Sequence, residues 1–159
     1  MASKSRSKIC SSARYYDEPI SEEVERIFNC SLPKKLEDPG EFSLKVTFAN
    51  GEKVRALIDL GAGGNLMPCS IYAKIGASEL KPTGMRLEMA DRTKKKAKGI
   101  LEDVLVRIDE LIVPVDFVVL DVKDDNKEEP YLLLGRPFMA TTKMEIDMRD
   151  KSVINQYFT

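Results

Sequence analysis

The string Ala56-Leu57-Ile58-Asp59-Leu60-Gly61-Ala62 sets an aspartate at the end of an apolar run, with a glycine two residues on that lets the backbone approach a neighbour or ligand closely. A carboxylate at such a buried strand edge suits acid/base hydrolysis. In that chemistry two carboxylates about 3 Å apart cannot both ionise, so one holds a proton while the other activates water. Taken alone, Asp59 reads more plainly as a strand-end turn, where aspartate is a usual first residue. The composition narrows the choice. Among 159 residues there is no histidine, which removes the commonest general base and transition-metal ligand and with them the Ser-His-Asp and Cys-His hydrolases. Cys10, Cys30 and Cys69 are odd in number and far apart, with no Cys-x-x-Cys pair, so neither a disulfide framework nor a zinc site is expected. Paired-carboxylate hydrolysis needs no histidine, metal, cofactor or covalent nucleophile.

Other motifs are weaker. Gly61, Gly63 and Gly64 follow a strand and Glu79 stands further on, as in a dinucleotide fingerprint, but Leu66 occupies the third glycine's place and the preceding hairpin argues against βαβ. No phosphate-binding G-x-x-x-x-G-K-[ST] string exists. The basic run from Arg92 to Lys98 lacks interleaved aromatic residues, so a solvated hairpin tip is expected there and not a nucleic-acid contact. Asp124-Asp125 and Glu128-Glu129 miss the calcium-loop spacing and read as solubilising residues.

The elements that must position Asp59 follow from charge and periodicity. With 25 basic and 26 acidic side chains the formal net charge is -1, so no whole-molecule field draws in nucleic acid or an anionic membrane. The amino terminus lacks an apolar signal core and no transmembrane-length apolar run occurs, so a soluble, intracellular protein in a reducing compartment is expected, with no membrane partner. Residues 1–40 read as a mobile tail, a short amphipathic helix capped by Ser21 with Val24, Ile27 and Phe28 on one face, and a linker; residues 41–159 read as the domain. From Phe42 the period is two: Phe42, Leu44, Val46 and Phe48, a turn at Asn50-Gly51 that tolerates positive φ at both positions, then Val54, Ala56 and Ile58. Pro68 is expected at the first position of a short helix reaching Ile75. Further strands are expected at Met85–Met89, Val104–Ile108, Val113–Val119, Tyr131–Leu134, Met144–Met148 and Val153–Asn155, with one or two helical turns over Phe138–Thr142. This predicts an all-β domain with one or two short helices, closed or sandwiched and antiparallel.

Asp59-Leu60-Gly61-Ala62, followed later by Leu132-Leu133-Leu134-Gly135-Arg136, resembles the retropepsin family of aspartic proteases. The fuller strings Asp59 to Pro68, Ala90-Asp91-Arg92, Pro114 to Leu120 and Gly135-Arg136-Pro137-Phe138 resemble the protease region of plant gypsy-type retrotransposon polyproteins. The resemblance implies a closed β-barrel half that pairs into a homodimeric acid protease fold. Asp59 would be catalytic, with Leu60, Gly61 and Ala62 as its loop and Leu134, Gly135 and Arg136 as the supporting loop and a dimer contact. One Asp-x-Gly-Ala motif implies one Asp59 from each subunit. The implied substrate is an extended peptide or polyprotein, covered by a flap from about Met85 to Ile108 whose substrate-binding residues would be Met89, Ala90, Asp91, Arg92 and Thr93, with its tip between Asp91 and Lys98. No cofactor is implied. The chain departs from the family pattern at three places. Leu60 stands where most members carry Thr or Ser, whose hydroxyl bonds across the subunit boundary. Gly63 stands where an acidic residue commonly pairs with the arginine matched by Arg136, which is thus expected to lack that partner. The flap tip is lysine-rich instead of glycine-rich. A retropepsin-like fold that no longer cleaves, persisting as a dimerisation module or retrotransposon remnant, is the alternative.

Overall fold

Side chains in a strand point alternately to either face, so each run of period two offers one apolar edge to a common interior. A computed structural model of the protein describes residues 34–77, 79–89, 92–122 and 129–155, and its strands and helices lie in the unit that begins at Asp38. The expected helix bearing Val24, Ile27 and Phe28, Cys10 and Cys30, Ala90 and Asp91, and Asp124, Asp125 and Glu128 lie outside the described residues. The strands are β1 (Ser43–Phe48), β2 (Lys53–Ile58), β3 (Asn65–Pro68), β4 (Arg86–Glu88), β5 (Lys94–Lys96), β6 (Gly99–Ile108), β7 (Leu111–Leu120), β8 (Leu132–Leu134), β9 (Met144–Asp147) and β10 (Ser152–Asn155). Among the described residues the helices are α1 (Cys69–Ile75) and α2 (Arg136–Thr142). Neither is long and apolar enough to cross a membrane.

Six strands close a barrel in the order β1-β2-β8-β3-β7-β6, while β9 with β10 and β4 with β5 form separate two-stranded sheets. Val46, Ala56, Val106, Phe117, Val119, Leu132 and Leu134 fill the interior, each contributing on the order of 1.5–3 kcal/mol where a large aliphatic or aromatic side chain is fully buried. Ile71 of α1 and Phe138 of α2 close the core from outside the sheet.

Several expectations are corrected. The barrel is mixed and not purely antiparallel: β2 runs parallel to β8 and β3 parallel to β7. The short strand β3 stands where no strand is expected, and Pro68 is the last residue of β3 and the cap of α1, not its first helical residue. At the first hairpin only Gly51 takes positive φ, at 86°; the Phe48 carbonyl accepts from Gly51 N–H at 2.9 Å, closing a longer turn with a bulge. Asn50 is thereby free to donate through Nδ2 to the Lys74 and Ile75 carbonyls at 3.3 and 3.2 Å, capping the end of α1. In β6 a bulge between Leu101 and Val104, with Asp103 at φ 53°, switches the inward residues from odd to even numbers.

The expected flap also changes its bounds. The freestanding hairpin is β4 with β5, paired Arg86 to Lys96, Leu87 to Lys95 and Glu88 to Lys94. Gly99 to Ile108 belongs to the barrel, and the lysines form the returning strand instead of the tip. A two-stranded ribbon outside the barrel leaves room for charged side chains on its exposed face, so a lysine run can be a strand here.

Candidate active site

Asp59 follows β2 directly, and its N–H donates to the Leu134 carbonyl at 3.0 Å, extending the parallel pairing with β8 by one bond. The chain then turns: the Asp59 carbonyl accepts from Ala62 N–H at 3.2 Å, and its Oδ1 accepts from Gly61 N–H at 2.7 Å. The carboxylate is therefore oriented by its own loop. A Cβ on Gly61 would stand 3.1 Å from Oδ1, so it is space beside the carboxylate, and not an unusual φ, that calls for glycine here.

The start of α2 holds this loop from below. Arg136 N–H donates to the Ala62 carbonyl at 3.0 Å, and its guanidinium donates through Nη1 to the carbonyls of Leu60 at 3.0 Å and Gly61 at 3.1 Å. With no carboxylate at position 63, the Arg136 guanidinium is taken up by backbone carbonyls instead. Gly63 lies beneath the guanidinium, with Nη2 3.4 Å from where a Cβ would be. Gly135 fits against the loop so closely that a Cβ would meet the Gly64 carbonyl oxygen at 2.4 Å and that of Ala62 at 2.7 Å.

One residue that sequence reasoning missed ties these parts together. Asn65, only 5% exposed, accepts from Gly135 N–H at 2.9 Å through Oδ1 and donates through Nδ2 to the Asp116 carbonyl at 3.0 Å. It joins β3, β7 and the turn into α2. The Asp116 carboxylate in turn accepts from Asp103 N–H at 2.8 Å, pinning the β6 bulge. The signal available in the sequence was a polar residue within an otherwise apolar stretch after Gly63-Gly64, where a buried amide must find partners for both ends.

A family model described as aspartyl protease matches residues 44–138, which spans more than half of the chain and includes Asp59 and Arg136. The chain belongs to the aspartyl protease family. No protein with a curated description matches it. Three solved structures share the aspartyl protease fold seen here. The retroviral protease-like domain of Ddi1 from Leishmania major aligns with TM-score 0.56 at 17% identity, covering 74% of this chain and 88% of that one. A retropepsin-like aspartic protease from Rickettsia conorii aligns with TM-score 0.53 at 22% identity, covering 72% and 90%. EIAV protease in complex with an inhibitor aligns with TM-score 0.52 at 15% identity, covering 73% and 99%. The mostly-β fold with two short helices and a closed barrel is therefore retropepsin-like.

Within this aspartyl protease domain, Asp59, Leu60, Gly61 and Ala62 meet Leu134, Gly135 and Arg136 in one hydrogen-bonded unit. Of the expected flap residues, Met89 lines a cleft of about 130 Å³ with Leu66, Leu120, Tyr131 and Leu133. Arg92 and Thr93 close the hairpin turn, with Arg92 N–H donating to the Met89 carbonyl at 2.8 Å and the Thr93 carbonyl accepting from Met89 N–H at 2.9 Å. Burial first, and then the charge of Asp121, push the Cys69 thiol up, against a smaller opposite pull from Lys98.

Asn65→Ala leaves Gly135 N–H buried without its acceptor. The expected cost is about 1–3 kcal/mol in urea unfolding, as the Gly135–Arg136 support loosens. A loss below about 0.5 kcal/mol would show that the amide does not position the loop.

Proposed function

We propose that the protein is an aspartic endopeptidase of retropepsin type that acts as a homodimer, activating water between two Asp59 carboxylates and cutting extended polypeptide. The observation that carries this reading is the Asp59 carboxylate held by Gly61 N–H in a loop braced by Arg136, present once in a chain of the aspartyl protease family. A single carboxylate cannot share a proton with itself, so the chemistry calls for a second chain. The motif strings support an origin in the protease region of a plant gypsy-type retrotransposon polyprotein, with polyprotein processing in a reducing, intracellular compartment as its task. Sedimentation across micromolar concentrations, joined to cleavage of a peptide library from mildly acidic to neutral pH with and without a transition-state-mimicking inhibitor, tests it. A monomer–dimer equilibrium with inhibitor-sensitive cleavage is expected. A strict monomer that still cuts peptides would refute the two-subunit mechanism.

Leu60 favours the alternative, a dimerisation module that does not cleave, because it offers no hydroxyl across the subunit boundary. Leu60 is 57% exposed in the single chain, so shortening it opens no cavity in the barrel. Leu60→Thr is therefore expected to leave monomer stability unchanged and to tighten self-association by about 0.5–1.5 kcal/mol for each of two symmetry-related bonds. Leu60→Ala supplies the comparison. If threonine and alanine give the same dissociation constant and turnover, the leucine is an accommodated packing and the hydroxyl does not limit this protein.

A further inference from the structure

The β4–β5 hairpin carries five basic side chains, Arg86, Arg92, Lys94, Lys95 and Lys96, against Glu88 among the described residues, in a chain whose formal net charge is only -1. The field is thus local to this ribbon. Among the described residues none of these cations takes part in an ion pair. Burial divides the ribbon into two faces: Arg86, Glu88, Lys94 and Lys96 are exposed, whereas Leu87, Met89 and Lys95 are half-buried. Leu87 and Met89 share a face by strand periodicity, and Lys95 stands directly opposite Leu87.

That half-buried face leads to the candidate site. Met89 lines the cleft with Leu66 and Leu133. Leu66 follows Asn65, and Leu133 precedes the Leu134 carbonyl that holds Asp59. Both project away from the core that Met67, Leu132 and Leu134 fill. Lys95 is consequently the cation on the ribbon face through which Met89 reaches the cleft, with Arg86, Lys94 and Lys96 adding potential from the outer side. A half-buried cation on a face that continues into an apolar cleft favours a ligand that brings a carboxylate next to an apolar side chain.

We propose that the hairpin makes the site selective for polypeptide segments in which acidic residues flank an apolar core, with Lys95 as the specificity-determining contact. The inference rests on the peptidase reading for its site, but recognition can be read without turnover. Aromatic stacking platforms are absent from the ribbon, which favours an acidic polypeptide over single-stranded nucleic acid.

The test uses two peptides with one apolar core, flanked by Asp and Glu in one and by Lys in the other, and a single-stranded oligonucleotide. Binding is measured on the Asp59→Asn protein and kcat/KM on the wild type, at low and high salt. The acidic peptide is expected to be preferred by about tenfold or more at low salt, with the preference shrinking as salt rises. Lys95→Met should lower it by about twofold to fivefold, the range an incompletely buried ion pair supports, and Lys95→Glu should reverse it. Lys45→Glu, an exposed charge change on β1, should leave the ratio unaltered. Binding of the acidic peptide to the Asp59→Asn protein without cleavage by the wild type would uphold the selectivity and overturn the peptidase reading. Equal handling of the two peptides, a ratio indifferent to Lys95→Glu, failure of both to bind, or binding of the oligonucleotide alone would overturn the selectivity.

Discussion

Asp59→Asn is expected to reduce peptide cleavage by about 10²- to 10⁴-fold, the range that a positioned acid or base contributes, while folding and self-association persist. The amide keeps an oxygen where Oδ1 now accepts from Gly61 N–H at 2.7 Å, so the loop retains its shape. It is a weaker acceptor than a carboxylate, and a stability loss of about 1 kcal/mol is the most that one such bond implies. What disappears is the ionisable group. On the proposed two-subunit mechanism, wild-type activity is expected to follow a bell in pH with an acidic optimum, whose two limbs would belong to the carboxylate pair jointly and not to either residue. On the same mechanism, activity in a mixture of wild-type and Asp59→Asn chains should fall faster than the wild-type fraction, because a mixed pair would hold only one Asp59 carboxylate. Undiminished activity in the pure variant would assign the chemistry to another residue or a contaminant.

Gly135→Ala is expected to unfold at a temperature lower by roughly 10 °C or more, corresponding to a loss of about 3 kcal/mol or more. The new methyl would lie 2.4 Å from the Gly64 carbonyl oxygen, 2.7 Å from that of Ala62 and 3.0 Å from the Gly64 carbonyl carbon. All three are backbone atoms, so no side-chain rotation relieves the contact. Either the Asp59 loop or the first turn of α2 must move, and both the Asn65–Gly135 bond at 2.9 Å and the Arg136–Ala62 bond at 3.0 Å would be disturbed with it. Gly64→Ala is the matched control, since nothing stands within 4 Å of a Cβ there, and it should melt close to the wild type. Equal melting of the two variants would show that the loop yields easily and that the glycine does not set its position.

The sequence by itself determined those features that depend on neighbours along the chain. The inward and outward parity of β1, β2 and β7 could be read because a strand's side-chain period is a local property, and the runs are long enough to display it. Asp59-Leu60-Gly61-Ala62 and Leu134-Gly135-Arg136 could be singled out as two candidate segments through their resemblance to the retropepsin family, since by local chemistry alone the aspartate and glycines read as turns. Only the tertiary structure decided how those segments meet. The four residues of β3, set between Gly63-Gly64 and a proline, are too few to show a period, and their place in the barrel comes from pairing with β7 and β8. The extent of the β4–β5 ribbon was misjudged because a lysine run carries the charge of a loop, while its strand character comes from the partner strand. Arg136 and Asn65 show the limit most clearly. Their partners are the carbonyls of Leu60, Gly61 and Asp116 and the N–H of Gly135, backbone groups that every residue but proline possesses in the same form. A bond to such a group depends on where the chain passes in space, and parallel pairing of strands distant in sequence is what brings it within reach.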